Sequence, residues 1–270
     1  MSVFTEKLRI PAAIAAMISV LCLAGSCGRS SSSVIIAGST SVQPYAELLE
    51  EEYAHLYPGC EIDVQGGGTS AGITAVRSGT ADIGMASRAL KSDEQDLWSV
   101  EIAKDGLAII VNPENHLRNL TIEQLRGIYT GRITNWMDVG GDNVRIHIIT
   151  REEGSGTRSA FEDLVMDSER ITPRAIVQDS NGAVRQLVAG DKDSVGFVSL
   201  GLVDETVKAV SLGGIAPTWD NVSNGTYSLY RPFLFVTLSE PEGLVKNFID
   251  FTLSAEGQQL LISEGLIPPG

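Results

Sequence analysis

Short apolar runs alternate along the chain with stretches whose apolar residues recur at helical spacing. The apolar runs predict strands, at 34–37, 61–65, 82–86, 106–111, 144–150, 194–199 and 233–237. The helical spacing predicts helices, at 43–56, 71–77, 121–129, 155–165 and 183–189, with two more inside 241–264. Alternation of the two kinds of element predicts an α/β fold with mainly parallel sheets.

The first 26 residues have the pattern of a secretion signal. A short basic region precedes an apolar run at 10–23, which is shorter than a typical membrane-spanning helix. The following stretch LAGSC resembles a bacterial lipoprotein processing site and predicts lipid attachment at Cys27. Residues 27–33 are Ser-rich and predict a flexible tether. An ordinary signal peptide that is cut nearby is the alternative. We expect a lipid-anchored protein at the outer face of the cytoplasmic membrane or in the periplasm.

The formal net charge of −14 argues against nucleic acid as a partner, because binding to phosphate backbones requires a basic surface. Cys22 lies in the signal and Cys27 is the proposed anchor, so Cys60 is left without a disulfide partner. The three histidines show no spacing typical of a metal site. We therefore expect neither a metal ion nor a cofactor.

Three predicted strand-to-helix loops share a composition of Gly, Ser and Thr. They are GSTS at 38–41, GGGTS at 66–70 and GSGT at 154–157. Glycine lets the backbone approach a ligand closely, and helix N-termini present free N–H groups. Each loop alone is also typical of an ordinary helix cap. Since strand ends of an α/β sheet can bring such loops together, the three predict an anion site.

Arginines flank the third loop. Arg151 ends a predicted strand, so its guanidinium can face the same cleft and offer a planar fork to an oxyanion. Glu152 and Glu153 can pair with Arg151, and we expect Glu153 to direct it. Arg158 lies in the first helical turn and is expected to face solvent.

Residues 66–72 also fit two enzyme motifs. GTSAG matches the Gly-x-Ser-x-Gly nucleophile elbow, which makes a secreted serine hydrolase using Ser70 the alternative function. That function needs a later histidine, and only His116 and His147 follow, with His147 expected to be buried in a strand. GGGTSA matches a dinucleotide fingerprint, but the acidic strand end that should follow it is unconvincing.

Four segments together resemble the PstS-like phosphate-binding proteins, the solute receptors of phosphate ABC importers. The segments are AGSTSVQPYAELLEEEY, VQGGGTSAGITAVRSGTADIGMASR, LRGIYTGRITNW and REEGSGTRSAFE. The resemblance implies a two-lobed periplasmic-binding-protein fold of class II, with the ligand in the cleft between lobes. Lobe I would comprise 34–111 plus 231–270, and lobe II would comprise 112–230. It also implies a monomeric, non-enzymatic receptor that passes inorganic phosphate to an ABC permease and its ATPase.

The resemblance also implies the binding residues. By position in the motifs they are Thr40, Ser41, Thr69, Ser70, Ser87, Arg88, Arg151, Ser155, Gly156 and Thr157. Some family members carry an aspartate where this chain has Ser87, and that aspartate is thought to accept the phosphate proton and so reject sulfate. Arg88 can add a second positive charge or pair with a carboxylate. A receptor of the same fold for sulfate or molybdate is therefore a further alternative.

Overall fold

The computed structural model describes residues 33–269. The strands are β1 Ser33–Gly38, β2 Glu61–Gly66, β3 Ile83–Ala86, β4 Trp98–Val111, β5 Asn119–Leu120, β6 His147–Arg151, β7 Ile176–Gln178, β8 Ser194–Ser199, β9 Lys208–Ala209, β10 Ser211–Leu212 and β11 Tyr230–Thr237. The helices are α1 Gln43–Leu56, α2 Thr69–Ser78, α3 Ile122–Thr130, α4 Gly156–Phe161, α5 Asn181–Gly190, α6 Trp219–Ser223, α7 Gly243–Leu253 and α8 Ala255–Ser263. A π-helix, Glu162–Met166, continues α4.

Two sequence predictions fall at the start of this range. The predicted signal and Cys27 lie outside the described residues. Ser33, predicted as the last residue of the tether, is the first residue of β1, where it pairs in parallel register with Glu61.

The main sheet is mixed, whereas the sequence predicted mainly parallel pairing. Its strand order is β2-β1-β3-β11-β4-β8-β6-β7, with β9 also paired to β4. Parallel pairs lie at both ends of this order, but β4 and β11 run antiparallel to each other and to their outer neighbours β8 and β3. The difference arises at β4, which begins at Trp98 and is therefore longer than the predicted strand at 106–111. Charged residues such as Glu101 and Lys104 interrupt its first half and conceal it in the apolar pattern.

The two largest clusters of buried apolar side chains form separate cores in different parts of the molecule. One core joins the first strands to the C-terminal helices, with Ile36, Leu49 and Phe248 completely buried. The other belongs almost entirely to the middle of the chain, and the rings of Phe161 and Phe197 stack there with centroids 4.3 Å apart. Two cores of this kind are what a two-lobed molecule needs, because each lobe must bury its own apolar surface.

Both cores include side chains of β4. Ala103 packs in the first core, whereas Leu107 and Val111 pack in the second. The change from one core to the other therefore falls between Ala103 and Leu107, while the lobe boundary after Val111 stays a prediction. The strand crosses from one lobe to the other because its first half pairs with β11 and its second half with β8.

Gly72 sets how closely α2 approaches β1. A Cβ atom at Gly72 would lie 2.5 Å from the carbonyl oxygen of Ala37 and 2.7 Å from the Cα of Gly38. Both are backbone atoms of β1, which is hydrogen-bonded to a strand on each side, so the helix would have to move. We expect Gly72→Ala to lower the free energy of unfolding by about 1–3 kcal/mol, measured by urea denaturation.

The matched control for that variant is Gly190→Ala, at the last residue of α5. A Cβ atom there meets no heavy atom within 4 Å, and its backbone does not require glycine. This change should leave stability unaltered or raise it by up to about 1 kcal/mol. If both variants lost the same free energy of unfolding, the close approach of α2 to β1 would not be the reason why position 72 requires glycine.

Candidate anion-binding site

The three Gly/Ser/Thr loops meet where the two lobes contact each other. Ser41 of the first loop lies 2.7 Å from Thr157 of the third loop, measured between their hydroxyl oxygens. The backbone N–H of Ser70 in the second loop donates to the carbonyl oxygen of Gly154 in the third, at 3.2 Å. The convergence that the sequence predicted is therefore present, and the contacts cross from one lobe to the other.

The second loop also contacts the end of β3. The backbone N–H of Ser87 donates to Thr69 Oγ1 at 3.2 Å, and Ser39 Oγ donates to Ser87 Oγ at 2.8 Å. Gly156 faces the same hydroxyls, since a Cβ atom there would collide with those of Thr69 and Ser87. Glycine at 156 thus permits the close approach of the third loop to the other two.

Arg151 is buried at the end of β6, with 1% of its surface exposed. Its Nε and Nη2 atoms each donate to the carboxylate of Glu152 at 2.9 Å. Nη2 also donates to Thr40 Oγ1 at 3.2 Å and to the carbonyl oxygen of Asp179 at 3.1 Å. Glu152 therefore directs the guanidinium, and the expectation that Glu153 does so is wrong, because Glu153 is exposed. The Nη1 atom of Arg151 has no hydrogen-bond partner among the described residues.

Arg158 does not face solvent as predicted. Its Nη1 donates to the carbonyl oxygen of Arg151 at 3.2 Å, and its Nε donates to Glu162 at 2.8 Å. The side chain is 19% exposed because it folds back from α4 along the end of β6. Arg158 thus supports the backbone of Arg151 and does not project into the cleft.

Arg88 takes the second of its two expected roles. Its Nη1 and Nη2 atoms donate to the two carboxylate oxygens of Glu94, at 2.6 and 2.8 Å, and both side chains are buried. Burial raises the pKa of Glu94, but hydrogen bonds from Arg88 and from the backbone of Lys91 outweigh it, so this pKa lies below its ordinary value. Two of the nitrogens of Arg88 are therefore occupied within its own lobe.

Arg231 is a buried guanidinium at the site that the sequence patterns did not reveal. It lies on β11, only 2% exposed, and its Nε and Nη2 atoms donate to one oxygen of Asp105 at 3.0 and 2.9 Å. Nη2 also donates to Ser41 Oγ at 3.1 Å, whereas Nη1 has no partner among the described residues. Burial lowers the pKa of Arg231, Asp105 opposes that effect, and the nearby charge of Arg151 lowers the pKa further. Two guanidinium groups therefore act on the same small region.

Asn181 is the other residue that the sequence did not indicate. It is the first residue of α5, is 1% exposed, and donates through Nδ2 to Ser41 Oγ at 2.7 Å. Its Oδ1 atom is buried and has no partner among residues 33–269. Asn181 directly follows Ser180, which caps the helix, and nothing in the neighbouring sequence distinguishes Asn181 as a binding residue.

Ser41 connects these groups through one hydroxyl. Its oxygen accepts hydrogen bonds from Arg231 and Asn181, which uses both of its lone pairs. Its own hydrogen must then go to Thr157 Oγ1, and the hydrogen of Thr157 stays available for another acceptor. The Ser41 hydroxyl is therefore the hub, meaning the shared hydrogen-bond partner, of Thr157, Asn181 and Arg231 on β11.

The geometry gives Ser70 no catalytic base. His147 is exposed rather than buried, since it begins β6 and its Nδ1 lies 2.6 Å from Asp191. His116 lies 4.0 Å from a carboxylate oxygen of Asp142. In the part of the chain that the structure describes, neither histidine bonds to Ser70, so the nucleophile elbow lacks the partner that a hydrolase requires.

Comparison with known proteins agrees with this geometry. The model of the PBP superfamily domain matches residues 26–256. The phosphate-binding protein PstS of Bacillus subtilis (strain 168) is 30% identical over 246 residues, which cover 89% of this chain and 82% of that protein. The chain belongs to the PstS family. PstS proteins are substrate-binding proteins of the PBP superfamily, and the predicted two-lobed α/β fold is confirmed.

Solved structures related to this PstS-family chain extend the comparison. A structure from Clostridium perfringens, assigned as a phosphate ABC transporter substrate-binding protein and solved with bound phosphate, is 42% identical. It superposes with a TM-score of 0.86 over 88% of this chain and 100% of that chain. An ABC-type phosphate transport receptor from Vibrio cholerae is also 42% identical, with a TM-score of 0.75 over 87% of this chain and 100% of that one. Within residues 33–269, no helix combines the length and apolar character needed to cross a membrane.

Proposed function

We propose that this protein captures inorganic phosphate between its two lobes and delivers it to an ABC importer, without catalysing a reaction. The observation that carries the proposal is the buried Arg151, whose Nη1 has no hydrogen-bond partner among residues 33–269, while its Nη2 donates to Thr40 of the first loop. A buried guanidinium N–H is a costly group to leave unbonded, and an oxyanion is the ligand that best satisfies it. Relatives named as phosphate-binding proteins support phosphate as that oxyanion.

The other proposed contacts surround Arg151. Thr157 has a free hydroxyl hydrogen, as argued above, and Ser155 Oγ accepts from the Arg158 N–H, so its own hydrogen can also donate. Gly156 can bring its backbone close to the ligand. From lobe I we propose Thr40, Thr69, Ser70 and Ser87 as further contacts, with Ser41 and Arg88 positioning the loops that carry them.

We also propose the cellular arrangement that the sequence suggested. Lipid attachment at Cys27 would hold a monomeric receptor at the outer face of the cytoplasmic membrane or in the periplasm, near the permease and ATPase that receive its ligand. The small residues before Cys27 support this proposal. Substituting Cys27 by serine should release the protein from the membrane fraction if the cysteine is its anchor.

Isothermal titration of the purified protein with phosphate, sulfate and molybdate tests the ligand. We expect phosphate to bind at least about tenfold more tightly than sulfate. A single hydrogen bond to a charged group contributes about 1.5 kcal/mol or more, which corresponds to about a tenfold change in the dissociation constant. Equal affinities would contradict phosphate specificity, and tighter binding of sulfate or molybdate would make the protein a receptor for that anion. Ester hydrolysis abolished by Ser70→Ala would instead support a hydrolase.

A further inference from the structure

The chemistry of phosphate sets a requirement that donors alone cannot meet. At neutral pH inorganic phosphate carries at least one O–H group, whereas sulfate and molybdate carry none. Guanidinium and backbone N–H groups bond equally well to the bare oxygens of all three anions. A site that prefers phosphate therefore needs a hydrogen-bond acceptor directed at the ligand.

Three buried side-chain atoms of this site have no partner in the described part of the chain. Two are donors, the Nη1 atoms of Arg151 and Arg231, and the third is an acceptor, Oδ1 of Asn181. Two of the three residues, Arg231 and Asn181, share one hydrogen-bond network because both donate to Ser41. Arg151 donates to Thr40, the residue that precedes Ser41 in the same loop. Two donors and one acceptor form the set that a protonated oxyanion satisfies.

We propose that Asn181 Oδ1 accepts the hydrogen bond from the O–H group of the bound phosphate and so excludes fully ionised oxyanions. Arg151 and Arg231 bond to the charged oxygens of the same anion through their free Nη1 atoms. This inference rests on the proposed function, and it assigns the choice between phosphate and sulfate to a residue outside the Gly/Ser/Thr loops.

The amide of Asn181 is held by its contact with Ser41. Its Nδ2 bonds to Ser41 Oγ, whose remaining lone pair is taken by Arg231 and whose hydrogen goes to Thr157. The amide plane is thereby held, and Oδ1 points away from Ser41. A carbonyl oxygen can only accept a hydrogen bond, so it offers nothing to a sulfate oxygen.

Ser87 is a poorer candidate for the same task. A hydroxyl both donates and accepts, so it can turn its hydrogen toward a sulfate oxygen and loses discrimination. Ser87 Oγ already accepts from Ser39 at 2.8 Å and lies 3.4 Å from Thr69 Oγ1. An amide acceptor also carries no net charge, so Asn181 does not repel the anion as a carboxylate would.

The charges around the site are balanced before any anion arrives. Arg151 is paired with Glu152, and Arg231 with Asp105. Discrimination by overall charge is therefore weak, since phosphate and sulfate dianions see the same two ion pairs. The difference between them must come from hydrogen bonds, which is where Asn181 acts.

Titration of Asn181→Ala with phosphate and with sulfate tests the proposal. We expect the ratio of the sulfate to the phosphate dissociation constant to fall by about tenfold or more, mostly through weaker phosphate binding. An unchanged ratio in a variant that remains folded by circular dichroism would overturn the proposal. Wild-type protein that binds phosphate no better than sulfate would instead refute the proposed function on which it rests.

Two further variants separate the acceptor from other roles of the side chain. Asn181→Asp keeps the acceptor, and Ser41 can turn its hydroxyl hydrogen toward the carboxylate, so the preference for phosphate should be kept or increased. The carboxylate charge should weaken the binding of both anions, so the ratio of their dissociation constants is the test, and a fall in the ratio of the sulfate to the phosphate constant would contradict the proposal. Asn112→Ala is the matched control, because Asn112 is also a buried asparagine that contacts α5. It directly follows β4 and donates to the carbonyl oxygens of Val188 and Ala189, at the end of α5 away from Asn181. Its ratio should not change.

Discussion

Replacing Asp105 by alanine is expected to lower the free energy of unfolding by about 3–5 kcal/mol, measured by urea denaturation. The change leaves the guanidinium of Arg231 buried without its counter-charge, at a position where only 2% of the residue is exposed. Ser199 would lose its acceptor as well, since its hydroxyl donates to Asp105 Oδ1 at 2.6 Å. In both cases a buried polar group is left without a partner, and this lowers the free energy of unfolding by more than the loss of a favourable contact alone.

A second variant and a surface control separate these causes. Removing both partners, as in Asp105→Ala with Arg231→Met, should recover a large part of the stability, because no buried charge is left unpaired. The exposed pair Lys246–Asp250 provides the comparison, and Lys246→Ala should cost less than about 1 kcal/mol. A loss in Asp105→Ala as small as that of the surface variant would contradict the buried-pair interpretation.

The position of this ion pair connects stability with binding. Asp105 lies on β4 and Arg231 on β11, the antiparallel pair at which one hydrophobic core gives way to the other. Arg231 also bonds to Ser41, which in turn contacts Thr157 of the other lobe. The pair thus holds the crossover strands and the hub of the candidate site in one arrangement.

The sequence predicted the parts of the site that depend on local chemistry. Glycine, serine and threonine at a strand-to-helix turn have a meaning within a few residues, so all three loops could be found. Their convergence followed from a general property of α/β sheets. The resemblance to a known family then supplied further individual positions, such as Thr69 and Ser87.

Long-range partners could not be found in the same way. Asp105 and Arg231 are 126 residues apart, and neither has a local pattern that distinguishes it from an ordinary charged residue. The sequence could not show whether Glu152 or Glu153 would turn toward Arg151. The choice depends on which side of the chain faces the cleft, and the local sequence does not contain that information. His147 was misjudged because the first residue of a strand need not share the burial of the residues that follow.

Arg151→Ala is expected to weaken phosphate binding by roughly 1.5–3 kcal/mol, or about 10- to 150-fold in the dissociation constant. The variant removes the donor Nη1 and also releases Thr40 and Glu152 from the hydrogen bonds that hold them. Arg151→Lys should recover only part of the affinity, because an ammonium group cannot bond to the carboxylate and reach the anion with the same planar fork.

Titration of both variants with phosphate, alongside Arg126→Ala, decides whether Arg151 contacts the ligand. Arg126 is a matched control since its side chain is also largely buried, at 16% exposed, and it donates to the carbonyl oxygen of Val165 at 2.7 Å. It belongs to α3, and among the described residues its hydrogen bonds and ion pairs go to Val165, Glu123 and Asp167, outside the three loops. Its dissociation constant should equal that of the wild type. If Arg151→Ala also bound phosphate with unchanged affinity, the free Nη1 would have to be explained without a ligand, and Arg151 would leave the site. If Arg151→Lys bound as well as the wild type, positive charge alone would account for its role, and the arrangement with Glu152 would serve folding rather than recognition.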